Sequence, residues 1–473
     1  MRNMHRFLVG LCVLGLLFGG PASSVRAATP PLQQAVEGEL SKMGRGVRFG
    51  LVVADAQGHE LIAIAPDDRF IPASNTKLFT VAAALSVLPN VEQPDVDGGT
   101  SVRLDGRDVV LTGRGGARLS SAPDCVTDCL ATLADAVAAR TRRVRDVVGD
   151  ASAFVDRRWS YGMSWNNFAE RSGTGVAALS LDSNQLPLIA TPGALGQKPL
   201  VNAPAYLAID NQATTIAQGP TTLDVERLPF ERVVRLAGQI AVGAATATIW
   251  LGVDDPAHYA AWRLTELLRA RGVRVTGNLR TRYRIDGVLD RQLPSLARTV
   301  ALPLLADLTT INKDSQNLHA ELLLRRVGAA RGDASVPGGL SAVETMLTSA
   351  GVPRTGYDFA DGSGMSTYNR VAPRAMIAFL RWTGTQPWSA QFRATLPVGA
   401  VDGTLVRRFV GTPLAGKVRA KTGGLNATSA LSGWLTAASG RELTFAMFAN
   451  DVPEGRRAVP TMDAVLNLIA AAH

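Results

Sequence analysis

Three short segments of the chain contain serine, lysine, asparagine and threonine in a pattern that suits acyl-transfer chemistry. They are residues 74–77 (SNTK), 315–317 (SQN) and 421–423 (KTG). From the residue counts, chance would give about 0.01 such triple occurrences, before any order or structural context is required. The first segment is predicted at the start of a helix, the second on a helix or just before one, and the third on a strand. We therefore interpret them as parts of one site.

Ser74 and Lys77 are three residues apart, so at a helix start they share a face and the amine can reach the hydroxyl. Taking the serine proton requires a neutral lysine, which burial and a second cation at Lys421 would favour. Arginine could not replace it, because guanidinium does not lose its proton. Six of the 49 Lys and Arg residues are lysine, so lysine at both positions indicates a chemical requirement.

The remaining motif side chains also answer needs of a serine acyl-transfer reaction. Ser315 is predicted to relay a proton between Lys77 and the leaving amine, and Asn317 to hold a substrate amide. Lys421 and Thr422 suit a terminal carboxylate of the substrate, because a cation and a hydroxyl both donate hydrogen bonds.

Backbone groups complete the predicted site. The tetrahedral oxyanion is expected between the backbone N–H groups of Ser74 and Gly424, and losing one such donor costs about 3 kcal/mol. Gly423 has no side chain, so its strand can approach the substrate closely.

Turn residues and hydrophobic runs predict the elements that carry the first motif. Residues 47–64 contain two β-rich runs around a polar turn, which predicts a hairpin. A helix follows, beginning at residues 72–74, with an almost wholly apolar body at 78–88 and Pro89 as its end. A helix that is apolar all round is expected to be buried in the core.

The later motifs fall in a helical and then a strand-rich region. Leu318, Leu322 and Arg325 have the spacing of one amphipathic helix. Strand-like runs then predict an antiparallel meander, and the chain closes with a helical run. The strand-like runs are residues 417–422, 429–436 and 443–448, and the closing helix is predicted at 458–471.

The segment between the first two motifs has a different pattern. Residues 89–99 are polar and contain Pro and Gly, which is typical of a domain boundary. From there to about residue 294, short strand-like runs alternate with helical stretches, so we interpret this part as inserted material. The strand-like runs are residues 109–112, 188–190 and 249–253, and the helical stretches are 130–139 and 259–272.

Composition indicates a large globular protein and gives no sign of a nucleic-acid partner. The chain has 473 residues, of which 46% are hydrophobic and 19% charged, so it has ample material for packed cores. The net charge is +9, yet the sequence contains no long basic run interleaved with aromatic residues, so nucleic-acid binding is not expected.

The N-terminus predicts export. Residues 1–27 combine Arg2 and Arg6 with an apolar run of 14 residues and then small side chains, which is the pattern of a secretory signal peptide. The run is shorter than the roughly 20 residues that span a bilayer. We therefore expect secretion across the inner membrane to a periplasmic or extracytoplasmic location, with no transmembrane segment in the mature chain.

Two cysteines remain after the predicted cleavage, Cys125 and Cys129. In an oxidising compartment they either form a disulfide across a short loop or remain as two thiols, and the sequence leaves both possibilities open. With no nearby His or further Cys, a zinc site is not expected.

Four stretches together resemble the class C low-molecular-mass penicillin-binding proteins, the D-alanyl-D-alanine carboxypeptidase/endopeptidase family. They are residues 71–78 (IPASNTKL), 311–318 (INKDSQNL), 361–366 (DGSGMS), and 401–405 (VDGTL) through 421–423. The resemblance implies an α+β fold, in which a serine β-lactamase/transpeptidase-like domain, with an antiparallel sheet flanked by helices, carries a large two-domain insertion. The implied limits are 28–98 and 296–473 for the catalytic domain, 99–185 and 252–295 for inserted domain II, and 186–251 for inserted domain III.

The resemblance also implies a function. The implied roles are acylated nucleophile for Ser74, general base for Lys77, second motif for Ser315 and Asn317, and carboxylate binding for Lys421 and Thr422. Substrates would be peptidoglycan stem peptides ending in D-Ala-D-Ala, or cross-links between them. β-Lactam antibiotics would acylate Ser74 and deacylate slowly. No metal or organic cofactor is implied.

Two positions depart from the family's pattern. Gly424 stands where the family commonly has Thr or Ser, which keeps a backbone donor but loses a hydroxyl near the substrate carboxylate. Thr367 stands where the family often has Arg. We expect weaker or altered carboxypeptidase activity rather than none.

Three other functions are alternatives to the peptidase. A Ser-His-Asp hydrolase is disfavoured because His59, His258 and His319 have no obvious acid partner in the sequence. A secreted serine β-lactamase would share the three motifs and remains an alternative, although the long insertion favours the peptidase. A catalytically weak, cell-wall-binding homologue is the other alternative, although Lys77 and Lys421 are both retained.

Overall fold

The computed structural model describes residues 30–285 and 294–473, and the predicted signal peptide lies outside these residues. Within them the chain forms ten α-helices and 24 β-strands. The helices are α1 (Pro30–Ser41), α2 (Thr76–Val87), α3 (Leu130–Arg140), α4 (Pro256–Ala270), α5 (Leu304–Lys313), α6 (Asn317–Ala329), α7 (Val336–Ser349), α8 (Pro373–Gly384), α9 (Ser389–Ala394) and α10 (Val459–Ala472).

The strands fall into three consecutive groups along the chain. The first group is β1 (Arg48–Ala54), β2 (Glu60–Ile64), β3 (Pro94–Asp95), β4 (Ser101–Asp105), β5 (Asp108–Thr112), β6 (Arg143–Val144), β7 (Val147–Val155) and β8 (Gln185–Thr191). The second is β9 (Leu200–Asn202), β10 (Ala208–Asn211), β11 (Thr214–Ile216), β12 (Asp224–Glu226), β13 (Val233–Ala237), β14 (Gln239–Ala241), β15 (Ala247–Gly252) and β16 (Arg274–Val275). The third is β17 (Leu279–Arg284), β18 (Ala297–Arg298), β19 (Ala301–Pro303), β20 (Tyr357–Asp358), β21 (Arg370–Val371), β22 (Val418–Leu425), β23 (Thr428–Thr436) and β24 (Glu442–Asn450).

A five-stranded antiparallel sheet, in the order β2-β1-β24-β23-β22, is built from the two ends of the described chain. It contains the predicted hairpin and the predicted meander, which are both confirmed. Apolar side chains alternate between its two faces, and each face is covered by helices. One face packs with α1 and α10 through Val36 and Val465, and the other with α2 and α8 through Phe79 and Phe379.

The predicted helix of the first motif is confirmed as α2, which follows a single 3-10 turn at Ala73–Asn75. Ten of its twelve residues are buried, as expected for a helix that is apolar nearly all round. This burial fixes the start of the helix against the sheet, and the start of the helix is where the first motif lies.

Residues between the first two motifs form a second region with its own sheet, in the order β17-β7-β5-β4-β18. The short strands and helices that the sequence predicts there are present as β5, β8, β15, α3 and α4. Buried apolar residues from α3, α4 and these strands belong to one cluster, which includes Leu133 and Leu264. The division of this region into two domains stays a prediction.

Helix α6 connects the two regions. Its Leu318 and Leu322 belong to the cluster of the second region, whereas Leu323 and Leu324 belong to the cluster beneath the first sheet. Arg325, which shares the spacing of Leu318 and Leu322, is also buried, and its side chain is 1% exposed. Its charge is compensated inside the protein rather than by water.

Cys125 and Cys129 are joined by a disulfide, which decides between the two states that the sequence left open. The two cysteines are four residues apart in the sequence and lie just before α3. In the described residues, no helix has both the length and the apolar character needed to cross a membrane.

Two leucines of α10 give a test of this packing. Leu466 is 0% exposed and lies in the core between α10 and the first sheet, whereas Leu468 is 38% exposed. We expect Leu466→Ala to lower the free energy of unfolding by about 2–5 kcal/mol, because it leaves a cavity in the core. Leu468→Ala should change it by about 0.5 kcal/mol or less. Denaturant unfolding followed by circular dichroism measures both, and equal effects would contradict the packing described here.

Candidate active site

Ser74 and Lys77 meet at the start of α2. Ser74 lies in the 3-10 turn and Lys77 in the first turn of the α-helix, and Lys77 Nζ is 2.8 Å from Ser74 Oγ. The residue before the serine, Ala73, has a φ of 47°, in the left-handed region that non-glycine residues seldom adopt. Such strain persists only where surrounding contacts enforce it, and it is common at functional sites.

Lys77 is completely buried, and its amine has three oxygen partners. Nζ donates to Ser74 Oγ at 2.8 Å, to Asn317 Oδ1 at 2.7 Å and to the Ser363 carbonyl at 2.5 Å. In the neutral amine, two N–H groups keep the last two acceptors and the lone pair is left for the serine hydroxyl. The geometry therefore serves both the charged and the neutral lysine.

Burial lowers the pKa of Lys77 to about 7, because the site disfavours the charged ammonium. The carboxylates of Asp361 and Glu321 raise this pKa and so limit the shift. A pKa near neutrality suits a general base, since a large fraction is unprotonated at the operating pH.

Lys421 is the second buried lysine of the site. Its Nζ donates to Ser315 Oγ and to the Thr422 carbonyl, both at 2.9 Å. Burial holds the pKa of Lys421 well below its ordinary value, and the charge of Lys77 adds to the effect. Repulsion between the two ammonium groups is mutual, but burial is the largest cause of the lowered pKa of Lys77, and the contribution of a Lys421 cation to it stays a prediction.

Ser315 lies in the turn between α5 and α6, with a φ of 60°. This left-handed backbone conformation places Ser315 Oγ on Lys421. The structure thus joins Ser315 directly to the third motif, rather than to Lys77 as the predicted relay requires. The relay between Lys77 and the leaving amine stays a prediction.

Asn317 begins α6, and both ends of its amide have partners within the protein. Oδ1 accepts from Lys77 and Nδ2 donates to the Ser172 carbonyl at 3.0 Å. Ser172 belongs to the region between the first two motifs, so that region contributes directly to the site. The predicted contact of Asn317 with a substrate amide would have to use its remaining hydrogen or lone pair.

Strand β22 brings the third motif to the start of α2. Asn75 Nδ2 donates to the Lys421 carbonyl at 2.9 Å, which ties the first motif to the strand. A Cβ on Gly423 would lie 2.5 Å from the Pro72 carbonyl oxygen, so the strand needs glycine to come this close. The close approach is made to the protein's own backbone, whereas the approach to a substrate stays a prediction. A Cβ on Gly424 would meet open space.

Thr422 Oγ1 donates to Thr404 Oγ1 at 2.8 Å, or accepts from it, since either hydroxyl can be the donor. Thr404 lies in the 3-10 turn Gly403–Leu405, within one of the stretches that carry the family resemblance. The turn is fixed by an ion pair between Lys313 and Asp402. The structure therefore adds a hydroxyl beside the predicted carboxylate site.

A loop at residues 361–364 closes the site on the side of Lys77. Asp361 is 1% exposed and accepts from the backbone N–H groups of Gly364 (2.9 Å) and Ser366 (2.6 Å) and from Asn369 Nδ2 (2.6 Å). Burial, together with the charge of Glu321, raises the pKa of Asp361 to about 6. These contacts hold the loop that presents the Ser363 carbonyl.

The structure brings the three motifs together and adds groups that sequence reasoning missed. The added groups are the carbonyls of Ser363 and Ser172, the hydroxyl of Thr404, and the carboxylates of Glu321 and Asp361. Ser363 and Asp361 lie in the stretch 361–366, which resembles the family but carries no residue pattern that predicts a chemical role. Backbone carbonyls leave no mark on a side-chain motif, so the sequence held no signal for Ser172.

Two histidines do have acid partners, contrary to the sequence analysis. His59 Nδ1 is 3.1 Å from Asp55 Oδ2, and His319 Nδ1 is 3.2 Å from Asp307 Oδ1. Neither forms a triad with Ser74, because the amine of Lys77 occupies the place of a base beside that hydroxyl. The rejection of a Ser-His-Asp mechanism therefore stands on geometry.

Gly364 offers a test of the loop. A Cβ there would lie 1.9 Å from the Ala73 carbonyl oxygen, beside the nucleophile, and φ is +87°. We expect Gly364→Ala to displace the loop and slow acylation of Ser74 by a β-lactam about 100-fold, as a misplacement of about 1 Å can. Gly411→Ala is the control, since Gly411 has a φ of +72° but open space around a Cβ. Equal rates for the two variants would show that the clash is unimportant.

Comparison with known proteins identifies relatives of similar length. A model of the D-Ala-D-Ala carboxypeptidase 3 (S13) family matches residues 32–471. A D-alanyl-D-alanine carboxypeptidase of Actinomadura sp. is 34% identical over 433 residues, which cover 86% of this chain and 78% of the relative. The D-alanyl-D-alanine carboxypeptidase DacB of Haemophilus influenzae is 27% identical over 441 residues, covering 88% of each chain.

Penicillin binding protein 4 of Haemophilus influenzae has a similar solved structure. It matches with a TM-score of 0.78 at 23% identity, covering 92% of this chain and 98% of that protein. The likeness shows a shared fold of mixed helices and sheets and confirms the predicted α+β class. The sequence matches show more than the fold, because they extend through all three motifs. The chain therefore belongs to the D-Ala-D-Ala carboxypeptidase 3 (S13) family and is an enzyme of the serine D-alanyl-D-alanine carboxypeptidase type.

Proposed function

We propose that this enzyme cleaves the terminal D-Ala from peptidoglycan stem peptides ending in D-Ala-D-Ala, and opens cross-links between such peptides, through an acyl-enzyme on Ser74. The observation that carries the proposal is the 2.8 Å contact between Ser74 Oγ and the buried amine of Lys77. A serine hydroxyl is a weak nucleophile unless a base takes its proton. Membership of a D-Ala-D-Ala carboxypeptidase family supports the choice of substrate.

In the acylation step, neutral Lys77 takes the proton of Ser74 while Oγ attacks the carbonyl carbon of the penultimate D-Ala. The developing oxyanion is stabilised by the backbone N–H groups of Ser74 and Gly424. Collapse of the tetrahedral intermediate breaks the C–N bond, and the departing amine takes a proton from Ser315. Ser315 regains a proton from the Lys77 ammonium, so that both groups return to their starting states. Water then attacks the acyl-enzyme by the same acid–base route and releases the shortened peptide.

The carboxylate of the terminal D-Ala is proposed to bind between Lys421 and Thr422. Both lie on β22 next to the nucleophile, and the hydroxyl of Thr404 adds a further donor. Gly424 leaves open space where the family commonly has a hydroxyl-bearing side chain. We expect this gap to weaken carboxylate binding, and so to raise KM more than it lowers kcat.

The cellular setting belongs to the same proposal. The predicted signal peptide would place the enzyme outside the cytoplasm, in the periplasm or an equivalent compartment, where peptidoglycan is located. The disulfide between Cys125 and Cys129 supports an oxidising compartment. We further propose that residues 99–185 with 252–295, and residues 186–251, are the two inserted domains.

Brief incubation with penicillin tests the nucleophile. The β-lactam ring opens on attack and stays covalently attached, so intact-mass analysis of the mature protein should show one stoichiometric adduct that persists for minutes. Ser74→Ala should show none. An adduct that survives in the alanine variant would contradict the proposed nucleophile.

The fate of the drug separates the alternatives. Rapid turnover of penicillin by the wild type would identify a β-lactamase instead. Unmodified protein together with intact drug would favour a wall-binding homologue without catalysis. A wall-binding homologue would also be expected to bind isolated cell walls, which a sedimentation assay measures.

The rate of acylation should depend on pH through Lys77. Its pKa of about 7 means that the ammonium form, which cannot take a proton, predominates below that value. We therefore expect the second-order rate constant for penicillin to rise with pH through about 7 and then level off. Stopped-flow fluorescence with a labelled penicillin measures it.

Lys77→Arg is the matched variant, because it keeps the positive charge but cannot lose it. Its rate should lack the pH dependence of the wild type and, above pH 7 where the wild-type rate levels off, should be lower by about 100- to 10,000-fold, the usual contribution of a general base. A wild-type profile that rises only near the ordinary pKa of lysine would contradict the assignment of Lys77 as the base.

A further inference from the structure

Glu321 is a buried carboxylate close to the site, and the mechanism above does not use it. It lies one helical turn after Asn317 on α6 and is 5% exposed. An isolated buried charge is costly, so a carboxylate in this position needs partners. Its partners connect it to the loop that contacts Lys77.

The two oxygens of Glu321 serve different partners. Oε1 accepts from the backbone N–H groups of Gly362 at 3.0 Å and Ser363 at 2.9 Å. Oε2 forms an ion pair with Arg325 at 2.9 Å, and Arg325 in turn donates to the Arg157 carbonyl at 2.8 Å. The carboxylate is therefore held from one side by an arginine and holds two consecutive peptide groups on the other.

The carbonyls of the same two residues face α2, although the Ser363 carbonyl belongs to the next peptide group along the chain. The Ser363 carbonyl accepts from Lys77 Nζ at 2.5 Å, and the Gly362 carbonyl accepts from Thr80 Oγ1 at 2.7 Å. Glu321 thus holds the backbone N–H groups of two residues, and the carbonyl of one of them, Ser363, orients the general base Lys77. Charge-assisted hydrogen bonds of this kind are about twice as strong as neutral ones.

We propose that Glu321 is a positioning residue of the acylation reaction. It holds the backbone N–H groups of Gly362 and Ser363, so that the Ser363 carbonyl keeps Lys77 Nζ beside Ser74. This inference rests on the proposed function, since it assigns a part to Glu321 in the proton transfer from Ser74. It makes the loop, and not only the helix, responsible for the orientation of the lysine lone pair.

The negative charge has a second effect on the same lysine. A neutral glutamine could still accept both N–H groups, through weaker hydrogen bonds, but only a carboxylate stabilises the ammonium form of Lys77. The charges around Glu321 are Arg325 on its own helix, Asp361 on the loop, Lys77 on α2, and Arg158, which lines the same small cavity. Removing the charge of Glu321 leaves Lys77 with a weaker hold on its proton.

Two substitutions separate the hydrogen bonds that Glu321 accepts from the effect of its negative charge. Glu321→Ala removes both, and we expect the acylation rate at high pH to fall about 100-fold, as loss of orientation of a catalytic group can. Glu321→Gln keeps an acceptor at Oε1 and should restore most of that rate. It should also move the rising limb of the pH profile to lower pH by about one unit, because Lys77 then loses its proton more easily. A purely structural role would not move the pH profile.

The control is a second buried ion pair on the same helix. Asp95 pairs with Arg326, the residue after Arg325, through contacts of 2.5 and 2.9 Å, but it does not contact the loop. Asp95→Asn should destabilise the fold without changing the pH profile or the high-pH rate. Should the alanine variant fail to fold, the pH profile of Glu321→Gln decides.

The proposal is overturned if folded Glu321→Ala is acylated at the wild-type rate, or if Glu321→Gln keeps the wild-type pH profile. A wild-type enzyme that penicillin leaves unmodified contradicts the proposed function, and the assignment of Glu321 falls with it. The two failures are distinguishable, because the second is seen before any Glu321 variant is made.

Discussion

The burial of one lysine amine among oxygen acceptors is the constraint on which the rest of the site depends. In water, solvation strongly stabilises the ammonium form of a lysine, and the complete burial of Lys77 removes that solvation. Three acceptors and two nearby carboxylates return part of the lost stabilisation, so the pKa settles near 7 rather than falling further. The enzyme can therefore keep a base that is stable in the fold and still available to take a proton.

Four separate parts of the chain have to meet for this balance to exist. Helix α2 supplies the lysine, α6 supplies the Asn317 acceptor, the loop at 361–364 supplies a carbonyl, and β22 closes the remaining side. Glycines allow the closest approaches, since a side chain on Gly364 or Gly423 would collide with the backbone that leads into Ser74. The core that packs α2 and α6 against the sheet thus sets distances that chemistry requires to within tenths of an ångström.

The sequence predicted those parts whose structure follows from local patterns. The hydrophobic run of α2 and the strand alternation of β22 to β24 are local, so the positions of Ser74, Lys77 and Lys421 could be predicted correctly. The Ser363 and Ser172 carbonyls could not, because each approaches the site through tertiary packing and carries no side-chain signal. The burial of Arg325 also depends on tertiary packing, which encloses it together with the carboxylate of Glu321.

The proposed mechanism requires Lys77 to titrate near neutrality in the free enzyme. With six lysines in the chain, NMR of protein labelled with ¹³C at lysine Cε gives few enough signals to follow one by one against pH. This mechanism predicts a lysine resonance that titrates near pH 7 and disappears in Lys77→Arg. A Lys77 resonance that titrates near the ordinary value of 10.5 would contradict it, because the amine would then be charged whenever the serine has to be activated.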